Sequence, residues 1–382
     1  MEALIRQMKS ELEVADEKTR REMIQRIQEM MYSMESSDDT VNRVGYLSLQ
    51  ISAARIGIDM HIFSILSESK GPLSIHDLQH ATGANIILLG RLLRYMSSVG
   101  LVLQQGPSLF SASQVSKNLA GKGNQGAICH CFETCGPMFQ ELPGFLRRHN
   151  YSNIEDGENT VFQDAFKIKL PAYQWFAINP ERLRWFNDYM SSRRHSTETW
   201  LSVYDIEPDQ LKCHSGDEIY VNIGGGIGQQ CQEFINKFPN TAGRVVLQDL
   251  SHTIEQALQT PGVRNMAHDF FKPQPVLGAK FYFLRGVLHN WPDEKAKEIL
   301  KEVVSAMGKE SIILIDEPIV PDSGLHQYVA AMDMTMMCAL AGIQRTHSQW
   351  VSLLNSVGLR ILSHVYYKPA AYEGVMSVIP SP

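Results

Sequence analysis

The sequence predicts an α/β protein, with a doubly wound sheet in its C-terminal part and a mainly helical region before it. Three observations carry this. Residues 218–228 read Glu-Ile-Tyr-Val-Asn-Ile-Gly-Gly-Gly-Ile-Gly, so a short β-branched and aromatic run leads straight into glycines. Such a run suits a buried parallel strand. Twenty-one residues after Gly228, a second strand, Val-Val-Leu-Gln-Asp, ends in the carboxylate of Asp249. From about residue 212 onward, strand and helix patterns alternate.

The glycine stretch also suggests a ligand. Gly224, Gly225, Gly226 and Gly228 let the chain turn tightly and let a ligand approach bare backbone. Residues 229–238 read as the helix that follows, with its first amides pointing back at the turn. An acid at the end of the next strand is the usual partner of a ribose. The order strand, glycine turn, helix, strand, acid therefore points to a nucleoside-type cofactor in a Rossmann-like sheet. The spacing is neither GxGxxG nor GK[ST], so NAD and ATP phosphate cradles fit poorly.

Composition narrows the class. A chain of 382 residues is long enough for two domains, and 44% hydrophobic with 20% charged residues is an ordinary globular balance. A net charge of -6 without a long basic run disfavours nucleic acid as a partner. No apolar run approaches the roughly 20 residues a bilayer span needs, and the N-terminus shows no signal-peptide core. The six cysteines form no disulfide framework, so a cytoplasmic setting without membrane attachment is expected. Cys129, Cys131 and Cys135 flank His130, but CxC without a second pair favours buried or pocket-lining thiols over a metal.

Taken in order, residues 1–40 form a helical arm. Met23, Ile24, Ile27, Met30, Met31 and Met34 recur at helical spacing. That stripe packs either on its own domain or on a second subunit. Residues 41–122 read as a winged-helix-like domain: a long helix over 47–67, a helix capped by Ser74 with Asp77, a helix over 86–99 ended by Gly100, and a hairpin over 101–111. Only Arg91 and Arg94 offer base-reading groups on the third helix, so dimerisation is favoured over DNA binding. Residues 123–210 form a helical region rich in aromatics, some of which suit a pocket for a large apolar substrate. Residues 211–382 carry the sheet, with strands at 218–223, 244–248, 280–284, 311–315, 360–366 and 374–379. Helices are expected at 229–238, 252–259, 293–307 and 347–357.

The second informative stretch is 281–294, Phe-Tyr-Phe-Leu-Arg-Gly-Val-Leu-His-Asn-Trp-Pro-Asp-Glu. Its strand ends at Leu284, which places Arg285 and His289 on the loop over the sheet's carboxyl edge. A histidine there can deprotonate a hydroxyl beside a cofactor, or it can merely cap the helix that starts near Pro292. The next strand ends at Asp316 and Glu317. A carboxylate there either fixes the His289 tautomer or is a helix cap or solvated acid.

These stretches together resemble the plant-type and fungal O-methyltransferases that use S-adenosylmethionine. The resemblance covers about residues 45–370. It rests on Thr160-Val-Phe-Gln-Asp-Ala, Phe186-Asn-Asp-Tyr-Met190, the 224–228 turn, Asp249-Leu250, His268-Asp-Phe-Phe271, Arg285…His289-Asn-Trp291, Glu317-Pro318 and Arg345-Thr346. It implies a class I methyltransferase sheet, a winged-helix dimerisation domain and a homodimer. It also implies S-adenosylmethionine held by the glycine turn, Asp249, Leu250 and Arg285, with Asp269 and Phe270 at the adenine. His289 is the implied general base and Glu317 its support.

The chain departs from the family pattern at defined places. Asn222 stands before the glycines in place of Asp, and Asn290 follows His289 in place of Asp. The usual Gly-Lys-Glu-Arg-Thr-Glu is Gly342-Ile-Gln-Arg-Thr-His347, which is expected to put His347 near His289. A neutral histidine there cannot raise the basicity of an imidazole as a carboxylate does. A subgroup, the leporin-type pericyclases of 2-pyridone alkaloid biosynthesis, keeps the cofactor but dehydrates and cyclises its substrate. It uses a histidine of the helical region and a cation at the position of Arg285. The candidates here are His130, Arg193 or Arg194, and Arg285, although Gly286 stands where the leporin enzyme has Asp. His130 is otherwise a satisfied core histidine. The resemblance thus implies a polyketide-derived 2-pyridone alcohol as substrate, with a phenolic or polyketide hydroxyl as the alternative for genuine methyl transfer by His289.

Overall fold

The computed structural model describes residues 2–193, 198–207, 211 and 218–382. The chain forms two compact units: Met1–Asn150 with Gln163–Ser196, and Tyr151–Phe162 with Thr197–Pro382.

In the first unit the arm is not one helix. Helix Glu2–Val14 ends before Asp16, whose side chain accepts from the Thr19 amide and starts helix Glu17–Ser33. Ser36 and Asp39 form a capping box that starts helix Ser37–Gly45. The expected helix over 47–67 is also broken, into Leu47–Asp59 and Ile62–Glu68. His61 takes a left-handed φ of 54° at the break. The bend seats the Phe63 ring on Gly57, where a Cβ would lie 2.6 Å from it. Ser74 and Asp77 form the expected capping box on helix Ile75–Thr82, which helix Ile86–Ser98 follows. Strands β1 (Leu73–Ser74), β2 (Val102–Gly106) and β3 (Leu109–Ala112) make a small antiparallel wing in the order β1-β3-β2. The methionine stripe is uncovered within the chain, with Met30 59% and Met34 66% exposed.

In the second unit, strands β4 (Tyr220–Ile223), β5 (Val245–Asp249), β6 (Val263–Ala267), β7 (Phe281–Arg285), β8 (Ile312–Pro318), β9 (Leu359–Lys368) and β10 (Glu373–Pro380) form one sheet. Its order is β6-β5-β4-β7-β8-β10-β9. The first five strands are parallel, and β10 runs antiparallel to both of its neighbours. The order reverses between β4 and β7, which places the ligand crevice at their carboxyl ends. Two features escape the sequence reading. Strand β6, Val-Arg-Asn-Met-Ala, is a half-exposed edge with a polar centre, so no apolar run marks it. Helix Gln327–Leu340 is apolar on most sides and shows no clean stripe.

The inner strands of the sheet are buried on both faces with a period of two. Val221, Ile223, Tyr282, Leu284, Ile313 and Ile315 enter one apolar cluster. Tyr220, Phe281, Phe283, Leu314 and Tyr367 enter the other. Among the described residues no single helix is long and apolar enough to cross a membrane. Helices Leu47–Asp59 and Ile62–Glu68 reach that length only as a pair, bent by 64°.

Candidate active site

The glycine turn has the geometry that the sequence suggests. Gly224, Gly226 and Gly228 take φ values of 63°, 60° and 93°. Gly225 is constrained by space instead, since a Cβ there would lie 2.5 Å from both the Asn222 amide and Leu247. Asp249 closes the turn. Its Oδ2 accepts from the Gly226 amide and its Oδ1 from the Leu250 amide, both at 2.8 Å. Each oxygen keeps acceptor capacity for a ribose hydroxyl. The Phe270 ring sits over Gly224, 3.5 Å from where a Cβ would be. Asp269 Oδ1 accepts from the Phe271 amide at 3.0 Å and so shapes the segment that carries that ring. Leu250 is 48% exposed beside Asp249. These residues fit an adenine nucleoside. The apolar ring and Leu250 suit a base, the half-buried acid suits a ribose, and the bare turn accepts close approach.

Asp316 and Glu317 are consecutive on β8 and therefore serve opposite faces of the sheet. Asp316 takes Arg285, with Nε to Oδ2 at 3.2 Å, and also accepts from the Tyr367 hydroxyl at 2.7 Å. Burial pushes its carboxyl up to about 7, against the opposing pull of Arg285 and Tyr367. Burial disfavours the Arg285 cation, and Asp316, Tyr367, Glu373 and Glu233 together more than offset this.

Glu317 takes the His289 loop on the other face. Its Oε1 accepts from the amides of Val287 and Leu288 at 2.9 Å and of His289 at 3.3 Å. Its Oε2 stands 3.6 Å from His289 Nδ1, beyond a hydrogen bond. Glu317 thus shapes the loop's backbone more than it orients the imidazole.

The residue that does meet His289 is Gln344, with Nε2 3.0 Å from Nδ1. His347 does not reach it, contrary to expectation. Thr346 caps helix His347–Asn355, and the His347 ring lies 5.3 Å from that of His364. The motif itself held the signal, because Gln344 stands where the family pattern has its first Glu.

Arg345, also carried only as a motif residue, fastens the loop from below. It is fully buried, and its guanidinium donates to the Leu288 and Trp291 carbonyls and to Asp293, at 2.8–2.9 Å. Between them, Glu317 takes the amides of this loop and Arg345 takes two of its carbonyls. His289 is held as part of a rigid loop and does not cap helix Asp293–Ala306, whose N-cap is Pro292.

In the first unit, His130 ends helix Lys122–His130 and is 9% exposed. Its Nε2 lies 3.5 Å from Cys135 Sγ. The rings of Phe176, Phe186 and Tyr189 surround it at 5.4–6.2 Å. Arg194 lies outside the described residues, as does the side chain of Arg193. Among the described residues no group of three or more His, Cys, Asp or Glu is placed to hold a metal ion.

The strand order, the glycine turn and the acid of β5 define a class I, S-adenosylmethionine-binding methyltransferase fold. The comparisons agree. Residues 148–360 match the O-methyltransferase domain and residues 48–122 the O-methyltransferase dimerisation domain. The chain belongs to the O-methyltransferase family, and its cofactor is S-adenosylmethionine. It is 36% identical to O-methyltransferase ucdC of Aspergillus ustus, over 96% of each chain. It is equally similar to demethylsterigmatocystin 6-O-methyltransferase of Aspergillus parasiticus, over 100% of this chain and 98% of that one. It is also 36% identical to O-methyltransferase lepI of Aspergillus flavus, over 92% of each. A solved structure described as "A Pericyclic Reaction enzyme" and one of LepI in complex with SAM each superpose with a TM-score of 0.84. Both are 34% identical and cover 99% of this chain and 98% of theirs.

Proposed function

We propose that this enzyme is a pericyclase and dehydratase built on the methyltransferase fold. It dehydrates a polyketide-derived 2-pyridone alcohol and closes a ring by a Diels–Alder, hetero-Diels–Alder or Alder-ene step. The observation that carries the reading is the pairing of His289 with Gln344. Its amide is neutral whichever end faces the ring, so it cannot stabilise an imidazolium as a carboxylate would. Glu317, the remaining acid, has one oxygen committed to three backbone amides. A base that must take a proton from a hydroxyl is poorly supported here. The similarity to LepI supports the same reading.

Pericyclic steps need little covalent help, so a fixed charge and a shaped pocket suffice to lower the barrier. The Arg285 guanidinium, fixed beside Asp316, draws electron density from an amide or pyridone carbonyl. His130 assists loss of the hydroxyl as water. Arg194 remains a candidate second cation by resemblance. Bound S-adenosylmethionine supplies a fixed sulfonium charge, held by Gly224, Gly225, Gly226, Gly228, Asp249, Leu250, Asp269 and Phe270, with Arg285 nearby.

A second reading, genuine O-methylation with His289 as base, is favoured by one contact. Glu317 Oε2 is 3.6 Å from Nδ1, close enough to pair with the ring once it is protonated. The names of the other relatives favour it too.

We further propose a cytoplasmic homodimer without nucleic-acid or membrane partners. Met30, Met34, Val41, Tyr46 and Leu49 are each exposed in the single chain, and such apolar side chains suit cover by a second copy.

Incubation of the protein with S-adenosylmethionine and a ketone-reduced 2-pyridone alcohol, followed by mass spectrometry, tests the reading. Loss of water with ring formation is expected. It should survive in His289→Ala and fall by about 10²–10³ in Arg285→Ala, the scale for removing one fixed electrostatic group. A methylated product that disappears in His289→Ala would reverse the assignment.

A further inference from the structure

The five residues after His130, Cys131–Cys135, wind as a single π-turn, closed by the Gly136 amide on the Cys131 carbonyl. In an α-helix the side chain five positions on lies far round the cylinder. The i→i+5 winding brings it back, and here it sets Cys135 Sγ 3.5 Å from His130 Nε2. The other ring nitrogen, Nδ1, is buried and has no hydrogen-bond partner among the described residues. Buried polar atoms are normally satisfied, so an orphan of this kind calls for a partner brought by a ligand. Phe176, Phe186 and Tyr189 form the aromatic enclosure around it.

The chemistry of the pair decides which group donates. A thiol proton is far more acidic than the N–H of a neutral imidazole, and an imidazole nitrogen is a better acceptor than sulfur. Cys135 also meets the Cys131 thiol, whose ionisation it favours. Of its two acceptors the imidazole nitrogen is the better, so Cys135 donates to Nε2 and accepts from Cys131. A neutral histidine carries one ring proton, which then sits on Nδ1.

We propose that Cys135 is a positioning residue that holds His130 as the Nδ1–H tautomer, making it a hydrogen-bond donor to a carbonyl or hydroxyl oxygen of the substrate. Burial supports this by lowering the imidazole to about 4, with a smaller contribution from Arg182, so the ring is neutral at physiological pH. The identity of the accepting oxygen rests on the reading proposed above; the tautomer does not.

Nitrogen-15 spectra of the full-length, histidine-labelled protein near neutral pH test it, with His130→Gln identifying the resonances. The parent should show a protonated Nδ1 and a pyridine-type Nε2. Cys135→Ser, whose hydroxyl also donates, should keep that pattern, and Cys135→Ala should move the proton toward Nε2. An Nε2–H signal in the parent, or no change in Cys135→Ala, overturns the proposal. With the 2-pyridone alcohol as probe, Cys135→Ala should lower kcat about tenfold, short of the 10²–10⁴ of a direct proton donor, and leave KM within about twofold. A parent that does not turn over this alcohol refutes the functional reading, while the spectra still decide the tautomer.

Discussion

Gln344 Nε2 lies 3.0 Å from His289 Nδ1, so the imidazole nitrogen that a base would rest on a carboxylate meets a neutral amide. Glu317, the nearest acid, stands 3.6 Å away, with its other oxygen held by three amides. The histidine is well placed and weakly supported, and that combination separates the two reaction classes open to this fold.

Gln344→Glu should strengthen the base. A carboxylate at this distance stabilises a ring that takes a proton from a hydroxyl, so the variant should raise methyl transfer to a phenolic acceptor above the parent level. Mass spectrometry of the products with S-adenosylmethionine reads this directly. An unchanged yield of methylated product would show that Gln344 does not limit the base.

Arg345→Met should loosen the loop. It strips donors from the Leu288 and Trp291 carbonyls. Each buried group left unmade costs about 1–3 kcal/mol, so the loss for the two carbonyls should be roughly 2–6 kcal/mol, read as a lower denaturation midpoint. Arg345→Lys can restore only part of it, because an ammonium cannot reach two carbonyls and Asp293 in one plane. A variant as stable as the parent would refute the clamp.

Asp316→Asn should gain relative stability as pH rises. The folded carboxyl titrates at about 7, above the roughly 3.9 of an unfolded chain. Its favourable contribution is present below about pH 4 and is lost as the pH climbs through about 7. The neutral amide does not suffer this loss. The difference in Tm between variant and parent should therefore become more positive between pH 5 and pH 8, by several degrees. A pH-independent difference would contradict the elevated carboxyl.

Gly225→Ala should weaken cofactor uptake. The added Cβ would lie 2.5 Å from Asn222 and Leu247, so the turn must move. Calorimetry with S-adenosylmethionine should show affinity reduced by more than about tenfold, equivalent to about 1.4 kcal/mol. Unchanged affinity would argue that the nucleoside does not lean on this turn.

The parts legible in the sequence are those fixed by local chemistry. Glycines after an apolar strand, an acid 21 residues on, and Ser74 with Asp77 at a helix start each have one ready physical meaning. Strand β6 was illegible because Arg264 and Asn265 occupy an edge that pairs on one side only. The break at His61 was illegible because the fit of Phe63 back onto Gly57, six residues before it, overrides a continuous apolar pattern. The place of His347 is illegible because Thr346 starts a helix there, which turns His347 toward His364 and leaves Gln344, before the cap, to meet the loop.

By itself, then, the sequence determined the sheet, the glycine turn and the family, since these follow from periodicity and backbone freedom along the chain. Only the tertiary structure decided the company each functional side chain keeps. Asp316 and Glu317 are neighbours in the chain, yet the pleat of β8 sends one to Arg285 and the other to the His289 loop. Gln344, 55 residues from His289, reaches it only once the segment before helix His347–Asn355 has packed beside that loop. Such pairings depend on how strands and loops pack in three dimensions, which no local pattern records.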